Sequence, residues 1–149
     1  MSVADRPLSI AAFAGALLTA CTPLASEPSS AFVNLSEYKV SPRVAEVAAG
    51  EVTFTARNAG PRDRHELVIV RTDVSADALP TVAEGGMDED GAGVEVIGEI
   101  EELAVGKQES ATFRLPAGRY VLLCNMVEED DGEVEAHYAK GMYTTFTVR

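Results

Sequence analysis

Seven stretches of this 149-residue chain carry apolar positions in the spacing that a pleated strand requires. "AFVNLSEYKV" (31–40) alternates in part. "EVTFTARN" (51–58) sets Val52, Phe54 and Ala56 against Thr53, Thr55 and Arg57, and "VEVIGEI" (94–100) alternates again. "HELVIVRT" (65–72) is a nearly continuous apolar run, as expected of a strand covered on both faces. "ESATFRL" (109–115), "RYVLLCN" (119–125) and "MYTTFTVR" (142–149) complete the set. Val, Ile, Thr, Phe and Tyr dominate these runs, and turn residues such as "NAGPRD" and "LPAGR" separate them. One segment has no period of two: "DVSADALPTVAEGGMDEDGAG" (73–93) predicts a short helical turn over 75–84 and then an acidic, Gly-rich loop. Short strands at this spacing predict an all-β, antiparallel Greek-key β-sandwich of seven to eight strands.

The N-terminus reads differently. Leu8 to Ala20 is an apolar run of 13 residues, short for a membrane span but suited to a secretory signal. "LTAC" (18–21) resembles the lipobox of bacterial lipoproteins, in which the signal is cut before the cysteine and the sulfur carries a lipid. The resemblance implies a signal peptide at 1–20 and a lipidated Cys21. "TPLASEPSSA" (22–31) then reads as a tether, and the domain occupies 32–149. The expected location is a membrane surface facing the periplasm or the cell exterior, with the lipid as anchor.

A domain of this size buries about two-thirds of its unfolded surface and needs no disulfide to hold a core. With Cys21 lipidated, Cys124 has no partner within the chain, which is unusual for an exported protein. The formal net charge is −12. Such a chain repels nucleic acid, whose affinity for proteins rests on phosphate neutralisation, and attracts basic protein surfaces.

The chain has two histidines, two cysteines and four methionines, yet "CNMVEEDDGEVEAHYAKGM" (124–142) gathers one histidine, one cysteine and two methionines. The remaining histidine, His65, stands far upstream at the start of a predicted strand. Each residue alone has a plain structural reading: a strand cap, a buried thiol, a solvated loop histidine, a core methionine. Together, two imidazoles, a thiolate and a thioether at strand–loop junctions match the donor set of a blue-copper centre.

"NAGPRDRHEL" followed by "GRYVLLCN" and "HYAKGMYTTFTV" resembles the cupredoxins, the plastocyanin- and azurin-like blue-copper proteins, over Phe32 to Arg149. The resemblance implies one type 1 copper ion held by His65, Cys124 and His137, with Met142 as weak axial ligand. Met126 is a rival thioether; the "HxxxGM" pattern favours Met142. It further implies a monomeric electron carrier rather than an enzyme, serving a redox partner such as a cytochrome or a copper oxidase. Two departures stand out. Between Cys124 and His137 lie 12 residues, where many members have two to four, and the insert "VEEDDGEVEA" holds six acids. It leaves the site intact if it bulges outward and returns His137 to the metal, and its acidic stretch 128–135 is either a docking patch for a basic partner or a solvated loop. Glu66 stands where plastocyanin-like members have Asn, which puts that side chain's bond near the metal in question. The other readings are copper delivery, which favours an open Met- or His-rich site absent from this sequence, and a metal-free binding module. A Cys–His hydrolase lacks any visible oxyanion element.

Overall fold

The computed structural model describes residues 29–149 apart from Asp131. The expected signal peptide, the lipidation site Cys21 and most of the tether lie outside the described residues. The first strand, β1 (Ser29–Ser36), starts three residues ahead of Phe32. It turns back into β2 (Lys39–Pro42), and the chain then crosses through β3 (Glu46–Val47) to β4 (Gly50–Asn58). There follow β5 (His65–Arg71), β6 (Glu95–Leu103), β7 (Gln108–Leu115) and β8 (Gly118–Leu123). A small hairpin, β9 (Val127–Asp130) and β10 (Glu133–Ala136), precedes the last strand, β11 (Tyr143–Val148).

Two sheets form the sandwich, in the orders β2-β1-β4-β7 and β3-β11-β8-β5-β6. Their pairing is mixed rather than purely antiparallel, because β1 runs parallel to β4 and β3 parallel to β11. The cause is the crossing at β3. The chain leaves one sheet, pairs briefly in the other and returns beside β1 in the same direction, the crossover that parallel neighbours require.

Alternation sets what each strand points inward. On β1 and β4 the inward set is Ala31, Val33, Leu35, Val52, Phe54 and Ala56. On β5 it is His65, Leu67 and Ile69, and along β8 the same parity runs through Tyr120 and Leu122 to Cys124. The period that buries leucines between the sheets therefore also turns the thiol and one imidazole into the interior. Phe54 and Phe146 meet across the two sheets with ring centroids 5.6 Å apart.

The other parity of β5 and β8 carries Val68, Val70, Val121 and Leu123, and it is covered too. Its cover is the 73–93 segment, which buries Ala76, Leu79 and Met87 against them together with Tyr138. The predicted helical turn at 75–84 is not present; the segment folds as turns with an isolated bridge between Thr81 and Met87. Pro80 cannot extend a helix. The Tyr138 hydroxyl also accepts from Leu79 N–H at 3.0 Å and donates to the Ala76 carbonyl at 2.8 Å, giving this backbone partners outside any helix.

Candidate metal centre

His65 opens β5 at the end of a tightly held approach. Asn58, wholly buried, donates to the carbonyls of Asp63 and Leu103 at 2.8 Å each and accepts from Gly60 N–H at 2.8 Å. One carboxylate oxygen of Glu37 accepts from the backbone N–H groups of Arg62 and Asp63 at 2.8 and 2.6 Å. Cys124 follows the last residue of β8, the strand paired with β5.

His137 follows the insert, and the insert explains how it returns. Strands β9 and β10 pair antiparallel in register from Val127↔Ala136 to Asp130↔Glu133. An antiparallel hairpin brings the chain back to where it left, so its length does not displace the residues after it. The neck is closed by His137 N–H donating to the Met126 carbonyl at 2.9 Å. The ligand turn is then pinned by Met142 N–H to the His137 carbonyl and Cys124 N–H to the Met142 carbonyl, both 3.0 Å. Gly141, with φ of +91°, makes the left-handed step that a side chain would strain.

These strands and turns converge on one point. Ligand atoms of His65, Cys124 and His137 all lie within 4.8 Å of one another. The two Nδ1 atoms are 3.3 Å apart, and Cys124 Sγ is 3.2 Å from His137 Nδ1. All three residues have no exposed surface. Met142 is also fully buried, in the same core cluster as Cys124, while Met126 is only partly buried against that cluster.

The electrostatics favour neutral donors. Burial lowers the pKa of both histidines, with His137 adding to the effect on His65, so the imidazoles keep their lone pairs at neutral pH. Burial pushes the Cys124 thiol up to about 12, against backbone N–H groups that lower it. Only a strong cationic partner turns such a thiol into a thiolate, and a metal ion does so on binding. Two imidazole nitrogens and one sulfur, buried together, fit copper by donor chemistry.

Glu66 takes up its position in an unexpected way. Its backbone N–H donates to Cys124 Sγ at 3.4 Å, and its carboxylate accepts from Asn125 N–H at 3.0 Å. The acid thus ties the two ligand-bearing strands together. Burial, with Glu99, Glu89 and Glu102 nearby, raises its pKa to about 7 despite the Asn125 bond.

Several residues around the centre carry no signal along the chain. The Tyr38 ring packs edge-on to the His137 ring, centroids 5.3 Å apart, and its hydroxyl donates to Glu135 at 2.8 Å. Lys140 pairs with the same Glu135. Glu37 and Tyr38 lie in the turn between β1 and β2, distant along the chain from the residues they meet, and belong to no local motif.

No family model matches the chain, and no curated protein matches it either. Solved structures do. A dithionite-reduced auracyanin from Roseiflexus castenholzii is 25% identical, with a TM-score of 0.56 over 81% of this chain and 97% of that one. Auracyanin A, a "blue" copper protein from Chloroflexus aurantiacus, is 19% identical with a TM-score of 0.51 over 83% and 100%. A reduced rusticyanin is 17% identical with a TM-score of 0.54 over 83% and 81%. At these identities the last two speak for the fold alone. With this sheet order and a histidine–cysteine–histidine cluster at its ligand-bearing end, the chain is a cupredoxin-like β-sandwich, and His65, Cys124 and His137 form its candidate copper site.

Proposed function

We propose that this chain is a type 1 copper electron carrier, with His65, Cys124 and His137 as strong ligands and Met142 as the axial thioether. The observation that carries the reading is the convergence, in the buried interior, of one sulfur and two ring nitrogens drawn from distant stretches. Bound copper supplies a one-electron couple, Cu(II)/Cu(I), at a site whose soft sulfur and imidazole donors suit both states. The protein's part is to hold those donors still. Sheet pairing fixes His65 and Cys124, the neck of the hairpin fixes His137, and the Cys124–Met142 backbone bond fixes the ligand turn. A donor set that moves little when the charge changes keeps the reorganisation cost of electron exchange low. The donors' burial also shields them from water, which suits a carrier better than a delivery protein that must hand its ion over.

The remaining features belong to the same proposal. The lipobox-like "LTAC" supports an exported chain tethered to a membrane through Cys21. The six acids of the 127–136 insert, near His137, suit a redox partner with a basic face, such as a cytochrome or copper oxidase.

The test is titration of the metal-free protein with Cu(II). One equivalent should bind and produce the intense visible band of thiolate-to-copper charge transfer. Cys124→Ser should abolish that band, and His65→Ala or His137→Ala should weaken or shift it. Copper bound without colour would replace the carrier reading with storage or delivery. No binding would remove copper from the account.

A further inference from the structure

Glu37 meets His65 in a way that no part of the copper reading uses. One oxygen of its carboxylate lies 3.7 Å from His65 Nε2, just beyond a hydrogen bond. The other, Oε2, is buried with no hydrogen-bond partner among the described residues, and so is His65 Nε2 itself. Glu37 is held in place from behind by the N–H groups of Arg62 and Asp63, the residues leading into His65. A carboxylate that accepts two backbone N–H bonds on one oxygen thus faces the imidazole as an acceptor.

The ring must therefore be oriented in one way. His65 Nδ1 faces His137 Nδ1 and the thiol. A neutral imidazole carries one proton, on Nδ1 or on Nε2. If it sat on Nδ1, the Nε2 lone pair would point at a carboxylate and Nδ1 would have none for a metal. If it sits on Nε2, the N–H points at the anion and the Nδ1 lone pair points into the cluster. Among the described residues His137 Nε2 has no hydrogen-bond partner, and its ring packs against the edge of Tyr38.

Resting on the copper reading for its functional meaning, we infer that Glu37 is a positioning residue. Its carboxylate, facing His65 Nε2 at 3.7 Å, favours the tautomer that carries the proton there and offers Nδ1 to the metal, and it places a negative charge behind that ligand. Carboxylate–histidine–metal arrangements of this kind raise ligand basicity, and losing the outer partner usually weakens metal binding about 10–100-fold. The added charge favours the more highly charged Cu(II) state, so it lowers the reduction potential.

The test uses ring-nitrogen NMR on the ¹⁵N-histidine-labelled protein, metal-free and copper(I)-loaded, together with copper affinity and potential. In the wild type, His65 should carry its proton on Nε2 in both forms. Glu37→Ala should mix the tautomers in the metal-free protein and weaken copper binding about 10–100-fold. Glu37→Gln keeps an oxygen for the Arg62 and Asp63 N–H groups but loses the charge. It should recover most of the affinity while its potential rises above the wild type's. A role confined to bracing the 59–64 turn would weaken binding in the alanine variant without altering the tautomer or the glutamine variant's potential, and that pattern overturns the inference. So does an Nδ1 proton on wild-type His65. A wild type that takes no copper would sink the copper reading, while the metal-free ring measurement would still decide whether Glu37 orients His65.

Discussion

Two long excursions reach the ligand turn, 73–93 from the far end of β5 and 127–136 from the ligand end itself, and they are joined to the sandwich in opposite ways. The 73–93 segment has little regular structure, yet it is core: Ala76, Leu79 and Met87 are buried on the outer face of β5 and β8. Polar ties fasten it to the ligand turn. The Tyr138 hydroxyl holds its backbone at Ala76 and Leu79, and the Asn125 side chain binds the N–H and carbonyl of Met87 at 2.6 and 3.1 Å. The 127–136 hairpin is the reverse. It has regular pairing, but Val127 and Val134 remain 41% and 57% exposed, and past its neck it meets the domain through Glu135 with Tyr38, Arg62 and Lys140. Regular secondary structure and structural necessity are thus separate properties. The irregular excursion supports the site, and the regular one is appended beside it.

The largest expected effect removes apolar contact from the irregular excursion. Leu79 is 4% exposed, and Leu79→Ala should destabilise the metal-free protein by about 3 kcal/mol, read from urea unfolding with an unchanged m-value. A loss under about 0.5 kcal/mol would mean that the segment is a loose cover and the contrast is wrong. Tyr138→Phe comes next. It leaves the Leu79 N–H and the Ala76 carbonyl without their partner in a buried setting, which should cost about 2 kcal/mol. Because Tyr138 follows His137, copper affinity should fall in this variant as well, measured by competition with a chelator of known strength. Stability lost with affinity untouched would show that the tie serves the fold and not the ligand turn.

This contrast also marks what was readable along the chain. All seven strands that the alternation predicted are present, since a period of two is set by which face of a strand meets the core, and that is local. The turn that divides 31–40 into β1 and β2 was missed, because Glu37 and Tyr38 are there for His65 and His137 and nothing nearby requires them. The helical turn at 75–84 failed for a related reason. Its backbone is satisfied by a tyrosine some sixty positions away, and its apolar residues follow the sheet they cover rather than a helical period. Of the candidate site, His65, Cys124 and His137 were found because their residue types are scarce here and their chemistry is specific. The residues that orient them, Glu37, Glu66 and Asn125, are common types whose meaning lies in long-range contacts. The pairing of the insert was hidden because a run of acids resembles solvated loop more than strand.

The smallest expected effect on stability, and the sharpest on function, comes from removing the hairpin. Val127 and Ala136 are opposite each other in register, so replacing 128–135 by Asn-Gly leaves a two-residue turn between paired positions. Val127 beside Gly86 and the buried Ala136 are kept, so the contacts at the neck survive. The variant should unfold with a smaller loss than either substitution above, and it should retain the copper band, since the His137–Met126 backbone bond lies outside the deleted stretch. What should change is the field near His137. The deletion removes six acids and halves the formal net charge of −12. Electron exchange with a cationic metal complex should slow at low ionic strength and lose much of its salt dependence, while exchange with an anionic complex should accelerate. At ionic strengths where the screening length falls to about 3 Å, near 1 M, parent and variant should converge. If they differ equally at every salt concentration, the hairpin acts by covering His137 rather than by its charge. If the copper band is lost instead, the hairpin is part of the site, and the division between supporting and appended excursions fails.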